Sequence, residues 1–436
     1  MRRWLAAVAV YAEPRVLAIL FLGFTAGLPL ALTGQTLSVW LKEEGLSLAA
    51  IGAFALVGLP YVLKFLWAPV VDAVRVPVLG RLLGRRRGWL VTTQLLLMAA
   101  IVALGQHNPV ADPWITAMLA FTVAVCSATQ DIVIDAFRIE SLEERDYAAG
   151  MANYIAGYRV AMLISSFGVF ELADYFQRSG ALGPAGWSRA YYAMAGLVLI
   201  GVVTALLSRE PAAGGGEEPT DATLARRFAG AVLRPFADFI RRRGWLAILL
   251  FVMLFKFGDA FAGIMTAPFV LDLGFDKTDY GRVVKLFGFV ATLTGGFLGG
   301  YVHRLTEGRP VSLWSAGLLQ MVSNLMFVWL AVAGRDYGVL VLTIAVENLT
   351  GGYATVIFVA YLSGLCRNRD YTATQYALLS ALSAVGRTVL SASSGAFAEA
   401  MGWPSFFLLT TVAAVPGLVL LWWLGRHAEA RPGMVR

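Results

Sequence analysis

The chain reads as an all-α integral membrane protein with about twelve spanning helices, arranged as two related six-helix halves. Three observations predict this. Of its 436 residues 58% are hydrophobic and only 14% are charged, whereas a soluble domain carries about a quarter charged residues. Apolar runs of about 20 residues, the length a spanning helix needs, follow one another along the chain, and the mean hydropathy is +0.69. Most of the 35 lysines and arginines fall in alternate segments between those runs, the bias that marks cytoplasmic loops.

The runs place helices over 16–41, 48–72, 89–106, 113–139, 147–177, 187–207, 244–272, 279–302, 310–333, 337–366, 371–400 and 403–425. Basic residues then put both termini in the cytoplasm. The opening MRRWLAAVAVYAEPRVL does not read as a cleaved signal, because its apolar stretch is short and is interrupted by Glu13, Pro14 and Arg15. Pro29, Pro60 and Pro69 are expected to kink the first two spans, and Pro268 to break the seventh and free backbone carbonyls.

The longest loop divides the chain. Residues 208–223 form a polar, flexible linker, and 224–243 are basic and amphipathic, as a helix lying on the inner leaflet would be. The expected organisation is an N-terminal half at 1–207, a linker at 208–243, and a C-terminal half at 244–436. A repeat supports it: Arg145-Asp146-Tyr147 opens the fifth span and Arg369-Asp370-Tyr371 the eleventh, each followed by an arginine (Arg159, Arg387) and a pair of serines.

Net charge is +7, which on a soluble protein suggests nucleic acid; membrane topology accounts for it here, and no nucleic-acid partner is expected. Cys126 falls within a helix and Cys366 at a helix end, without ligand spacing. His107, His303 and His427 are placed in loops, so no metal site is expected. GGFLGG at 295–300 lacks the strand and Gly-Lys-Ser of a nucleotide loop; its overlapping G-x-x-x-G patterns suit close helix packing.

Charges within spans are costly and therefore point to function. They occur in spans two, four, five, seven, eight, ten and eleven, while the interiors of three, six, nine and twelve have none. That distribution describes a central polar cavity ringed by lipid-facing helices. The fourth span is densest: in SATQDIVIDAFRIESL, Asp131 and Asp135 share one face, with Gln130 beside them and Arg138 three residues on. Burial disfavours a charged carboxylate and a neighbouring cation favours it, so the cluster is a candidate proton carrier; a structural carboxylate–arginine pair is the alternative. Lys256 and Asp259 share a face of the seventh span, either as a functional pair or as a simple ion pair.

Arg159 and Arg387 are candidates to hold an anionic solute in a bidentate grip, or alternatively to neutralise Asp131, Asp135 or Glu347. Lys64 either points inward or snorkels to the surface. The candidate proton-coupling set is Asp131, Asp135, Asp259 and Glu347. The candidate solute-binding set is Gln35, Lys64, Gln130, Arg159, Lys256, Lys285 and Arg387. Asp72 with Arg85, Arg86 and Arg87 is a candidate cytoplasmic gate, although topology alone would also gather those arginines there.

Several strings resemble the AmpG-type muropeptide permeases of the major facilitator superfamily. They are GFTAGLPLALTGQTLSVWL, LVGLPYVLKFLWAPVVDAV, GRRRGWL, SATQDIVIDAFR, GYR and FKFGDAFA, of which QDIVIDAFR is the most specific. The resemblance is strongest over residues 20–210. It implies the major facilitator fold in a bacterial inner membrane. It also implies proton-driven import of anhydromuropeptides, the sugar–peptide products of cell-wall recycling, with a link to β-lactamase induction in species that possess that circuit. Carried over by position, Gln130, Asp131 and Asp135, then Arg159, Lys256, Asp259 and Lys64, match the family's strings. No cofactor is implied, only the proton gradient, and the expected partners are the solute and the bilayer around a monomer.

Two other readings remain open. An AmpG-like carrier of another bulky solute, such as a siderophore or acetyl-CoA, differs in its preference in a solute screen. A membrane-embedded magnesium-dependent transferase built on Asp131-x-x-x-Asp135 would need a second acidic cluster, and Glu347 reads as isolated.

Overall fold

The computed structural model describes residues 8–46, 54–179, 184–212, 240, 244–275, 279–366, 368, 370–391 and 393–426. The amphipathic stretch expected at 224–243 and His427 fall outside them almost entirely or entirely. So do the side chains of Gln35, Lys285 and Arg387.

Ten helices among the described residues are long and apolar enough to cross a membrane. Numbered with two broken elements in chain order, they are α1 (Pro14–Leu41), α2, α3 (Arg85–Gln106), α4 (Pro113–Ser141), α5 (Glu144–Arg178), α6 (Ala185–Leu207), α7 (Trp245–Asp272), α8 (Arg282–Leu305), α9 (Pro310–Ala333), α10 (Tyr337–Leu365), α11 and α12 (Trp403–Arg426). Element α2 is a string of short pieces, Phe54–Gly58, Leu59–Leu63, Lys64–Leu66 and Ala68–Ala73. Pro60 and Pro69 each open one of the α-helical pieces, because a proline lacks the N–H that a continuing helix requires. Element α11 runs over Thr372–Ser391, followed by the short helix Ser394–Met401.

Pro268 does not break α7 as expected: the helix Phe257–Asp272 runs through it. The interruption lies earlier, between Leu254 and Phe257, with Lys256 at its N-cap. His303 also departs from expectation. It sits in the last turn of α8, buried, with Nδ1 3.2 Å from Ser312 Oγ.

The internal repeat is a structural one. Helices α4 and α10 have the same length of 29 residues, and each is N-capped by an aspartate, Asp112 and Asp336, that accepts from backbone N–H groups. The shift that lays Asp112 on Asp336 also lays Arg145-Asp146-Tyr147 on Arg369-Asp370-Tyr371. It lays Gly84 on Gly308 as well, and both glycines hold the positive φ that starts α3 and α9.

Close approach within each half depends on missing side chains. A Cβ on Gly157 of α5 would meet Leu20 carbonyl oxygen and the Phe24 nitrogen of α1. One on Gly295 or Gly299 of α8 would meet the backbone of Leu349 or Tyr353 on α10. The packing role expected of GGFLGG is thus realised, and Gly300 extends it to the other half, where Ala148 and Ala149 of α5 lie against it.

The cores show how the halves relate. One hydrophobic cluster joins both halves, bringing Ile139, Tyr147 and Ala149 together with Ile357, Leu365 and Ala373. A second contains residues of the first half alone, among them Trp40, Leu104 and Tyr191. A third contains residues of the second half alone, among them Phe269, Phe327 and Phe407. The halves are therefore packed together at one end, and each closes its own core at the other.

Candidate functional site

Two charged clusters occupy the interior, one in each half. In the first, Lys64 comes from the 3-10 turn that interrupts α2, and its Nζ lies 3.7 Å from Asp135 Oδ2 and 4.0 Å from Asp131 Oδ2. Lys64 points inward, so of its two readings the snorkelling one is not realised. Asp135 also faces Arg138 at 3.7 Å. The arginine is fully buried, donates to Ser363 Oγ of α10 at 3.1 Å, and stands 5.2 Å over the Tyr376 ring of α11. Arg138 therefore reaches across to the second half instead of remaining at a surface.

Gln130 is fully buried, and among the described residues both its side-chain polar atoms lack a protein partner, as does Asp131 Oδ1. Buried polar groups are rarely left so. Tyr154 and Tyr158 of α5, with ring centroids 5.8 Å apart, flank this cluster and feel its carboxylates.

In the second cluster, Lys256 stands at the interruption of α7. Its Nζ lies 3.6 Å from Asp259 Oδ2 and donates to Thr355 Oγ1 at 2.6 Å. Glu347 of α10 lies in the electrostatic reach of Asp259 and Lys256 and accepts from Asn348 at 2.7 Å. The sequence reading of Glu347 as isolated is corrected: the fold carries α10 against α7 and makes it a third member. The repeat also superposes Thr355 on Asp131, so each lysine meets the same position of α4 or α10, as a carboxylate in one half and as a hydroxyl in the other.

Both lysines sit where their helix is broken. An interrupted helix leaves backbone groups without their usual partners, and in membrane proteins such breaks occur where they face protein or a cavity. The breaks in α1 and α5 are gentler. The wide turns Leu32–Thr36 and Ile164–Gly168 touch, Thr36 Oγ1 donating to Ser165 O at 2.6 Å. Such π-type turns are frequent at functional sites.

The joined end holds a third constellation. Arg86, 1% exposed, donates to Asp72 at 2.8 Å and to Glu140 at 2.6 and 3.0 Å. Arg85 lies 3.6 Å from Glu140. Asp72 in turn accepts from the backbone N–H of Thr374 at 2.8 Å and of Ala373 at 3.3 Å, at the start of α11. Arg87 stands apart from this group, donating to the last carbonyls of α6 at Ala205 and Leu206. Glu140, which sequence reasoning did not single out, is the acid at the centre; its signal was a third carboxylate on α4 beyond Arg138. A second link lies across the same end, Arg304 of α8 to Asp146 of α5 at 3.0 Å, and Asp370, the repeat partner of Asp146, acts electrostatically on Arg85.

Arg159 is exposed on α5 and enters no ion pair among the described residues. The geometry thus assembles Lys64, Gln130, Asp131, Asp135, Lys256, Asp259 and Glu347 into two interior clusters, and Asp72, Arg85 and Arg86, with Glu140, into a third at the joined end.

Comparison with known proteins follows the same lines. Residues 19–369 match the family profile described as Major Facilitator Superfamily. The chain is 41% identical over 414 residues to the anhydromuropeptide permease of Escherichia coli K12, covering 94% of this chain and 80% of that one. It is 33% identical over 422 residues to a putative transporter named AmpG 4 from Rickettsia felis, covering 96% and 99%. In fold it is similar to the transporter FucP in its outward conformation, with a TM-score of 0.69 at 12% identity over 95% of this chain and 99% of that one. It is likewise similar to the human organic anion transporter MFSD10, with a TM-score of 0.60 at 18% identity over 96% and 99%.

Proposed function

The chain belongs to the Major Facilitator Superfamily, and from that premise we propose that it imports anhydromuropeptides through the cytoplasmic membrane of a bacterium, driven by the proton gradient. It is a membrane transporter and not an enzyme. The observation that carries the choice of solute is the 41% identity to a permease named for that cargo, extending over 94% of the chain. The interior fits a sugar–peptide: unpartnered Gln130 offers donors and acceptors, the lysines offer grips for carboxylates, and Tyr154 and Tyr158 offer ring faces.

Proton coupling rests on the two lysine–carboxylate clusters. A carboxylate that shares a cation with a second carboxylate in a low-dielectric interior can pick up a proton when solute or conformation alters that balance. The positive-inside bias makes the joined end, with Arg85 and Arg86, the cytoplasmic one. The halves then meet on the cytoplasmic side, and import follows when the Asp72–α11 contact releases. The driving force is the gradient, with no cofactor, and the unit is a monomer.

Uptake of labelled anhydromuropeptide into cells lacking their own permease tests the reading. Accumulation is expected only with this chain present, and is expected to vanish when an uncoupler collapses the gradient. Accumulation untouched by the uncoupler would remove proton coupling, and uptake of a siderophore in preference to muropeptide would replace the cargo.

A further inference from the structure

Arg86 and Arg138 are both buried where the halves meet, yet they are held differently. Arg86 is gripped by two carboxylates, Asp72 at 2.8 Å and Glu140 at 2.6 Å. Arg138 has Asp135 at 3.7 Å, and its Nε and Nη2 lack a hydrogen-bond partner among the described residues. Its Nη1 donates to Ser363 Oγ of α10 at 3.1 Å, and its Cζ stands 5.2 Å over the Tyr376 ring of α11. Arg138 thus takes its charge partner from the first half and its other partners from the second. Tyr376 lies two residues beyond Thr374, which Asp72 holds.

The charges leading to Arg138 form a short series. Lys64 lies 4.0 Å from Asp131 and 3.7 Å from Asp135 Oδ2, and Arg138 meets Asp135 at its other oxygen, Oδ1. Two carboxylates and two cations make the series neutral, and a proton on Asp131 changes that sum to +1. Lys64 is then drawn wholly to Asp135, and one carboxylate serves two cations. The lysine side chain is 19% exposed and keeps some contact with water, whereas the arginine is 0% exposed. The excess charge therefore weighs on Arg138. A buried cation short of its counter-charge is costly, and hydration relieves the cost. Water reaches Arg138 when α10 and α11 part from α4.

We propose that Arg138 is a positioning residue that couples a proton on Asp131 to separation of the halves at the joined end. It acts through Lys64 and Asp135 and does not itself touch the proton. The proposal rests on the proton-coupled reading and gives it a direction: protonation favours opening at this end, and deprotonation restores the neutral series and favours closure. The other ionisable side chains facing the series are Tyr61 of α2, Tyr154 and Tyr158 of α5 and Tyr376 of α11, phenols that carry no charge at neutral pH.

The test uses the full chain in lipid nanodiscs, without solute. Deuterium uptake is followed at the first turn of α11, where Asp72 holds the N–H groups of Ala373 and Thr374. Asp131→Asn keeps the shape and removes the charge, as a proton would, at a residue that forms no ion pair with Arg138 among the described residues. Exchange at the turn is expected to rise at least about tenfold. Arg138→Met removes one cation, and adding Asp131→Asn leaves Lys64 and Asp135 as a neutral pair. The double variant is therefore expected to exchange no faster than Arg138→Met alone, whereas in Arg138→Lys, which keeps the charge, the acceleration by Asp131→Asn should persist. Equal acceleration with and without Arg138 overturns the proposal, as does no acceleration at all. The unaltered chain provides a measurement that needs no variant to fold. Protection of the same amides, corrected for the intrinsic pH dependence of exchange, is expected to fall on acidification, and protection independent of pH overturns the proposal. Uptake indifferent to an uncoupler would remove the transport reading and leave this linkage standing, so the two failures are distinguishable.

Discussion

Asp72 of the first half holds Thr374 of the second twice, accepting from its backbone N–H at 2.8 Å and from its hydroxyl at 2.7 Å. The carboxylate sits at the positive end of α11 while Arg86 grips it from behind. Removing it frees three donors on α11 and leaves Arg86 with Glu140 as its one carboxylate partner among the described residues. Asp72→Ala is expected to cost about 1–3 kcal/mol of the closed state, enough to raise the open population about 5- to 150-fold. Cys366 is buried at this end, so in a Cys126→Ser background its alkylation rate reports the opening. Asp72→Ala should speed labelling, and an unchanged rate would show that the latch is ornamental.

Asp135 differs from Asp131 in having two cations, Lys64 and Arg138, against one. Asp135→Asn leaves Arg138, fully buried, without a carboxylate partner among the described residues. A buried charge deprived of its partner is costly. Uptake should fall to background in Asp135→Asn with the protein still in the membrane. Lys64→Met should fail by itself and regain stability when combined with Asp131→Asn, because the pair is removed together. Additive losses in this cycle, measured as melting temperature, would mean that the 4.0 Å contact carries no coupling.

Lys256 is the cation that both Asp259 and Glu347 share among the described residues. Lys256→Met sets two carboxylates side by side in a low-dielectric interior, where they cannot both stay ionised. The variant should lose uptake and should be less stable at alkaline than at acidic pH, since protonation relieves the repulsion and deprotonation restores it. Adding Glu347→Gln should flatten that dependence. Melting curves across pH for the two variants check this, and identical slopes would place Glu347 outside the cluster.

Much of this was legible from the sequence, and what was not has physical causes. The spans, the repeat and the inward charges follow from apolar length and from the cost of burying charge, both properties of a residue and its near neighbours. Gln130, Asp131, Asp135 and Lys256-Asp259 were visible because helical spacing places them on a face. Glu347 looked solitary because its companions lie in α7, about ninety residues away, and only packing brings them together. Glu140 was passed over because its partners Arg86 and Arg85 lie on α3. Sequence points to Pro268 for the break in α7, yet a helix can absorb a proline when its neighbours take up the freed carbonyl, and the interruption falls at Lys256. Hydropathy ends the eighth span early and leaves His303 beyond it, whereas the helix runs on to Leu305 and the ring is buried.

Gly351 and Gly352 are adjacent on α10 and face opposite surroundings. A Cβ on Gly352 would collide with the Thr292 carbonyl of α8 and come within 3.1 Å of the Gly296 nitrogen, whereas one on Gly351 would meet nothing within 4 Å. The backbone of α8 cannot retreat without opening the α8–α10 seam, on which Gly295 and Gly299 also depend. Gly352→Ala is therefore expected to destabilise by about 1–3 kcal/mol through overpacking. Gly351→Ala should be neutral or stabilising by up to about 1 kcal/mol, since alanine is the better helix former. The same methyl group is added one residue apart, so differences in hydrophobicity and expression largely cancel. Melting temperatures of the two variants in one detergent provide the comparison. A Gly352→Ala protein as stable as Gly351→Ala would mean that the helices are not packed backbone to backbone at this point.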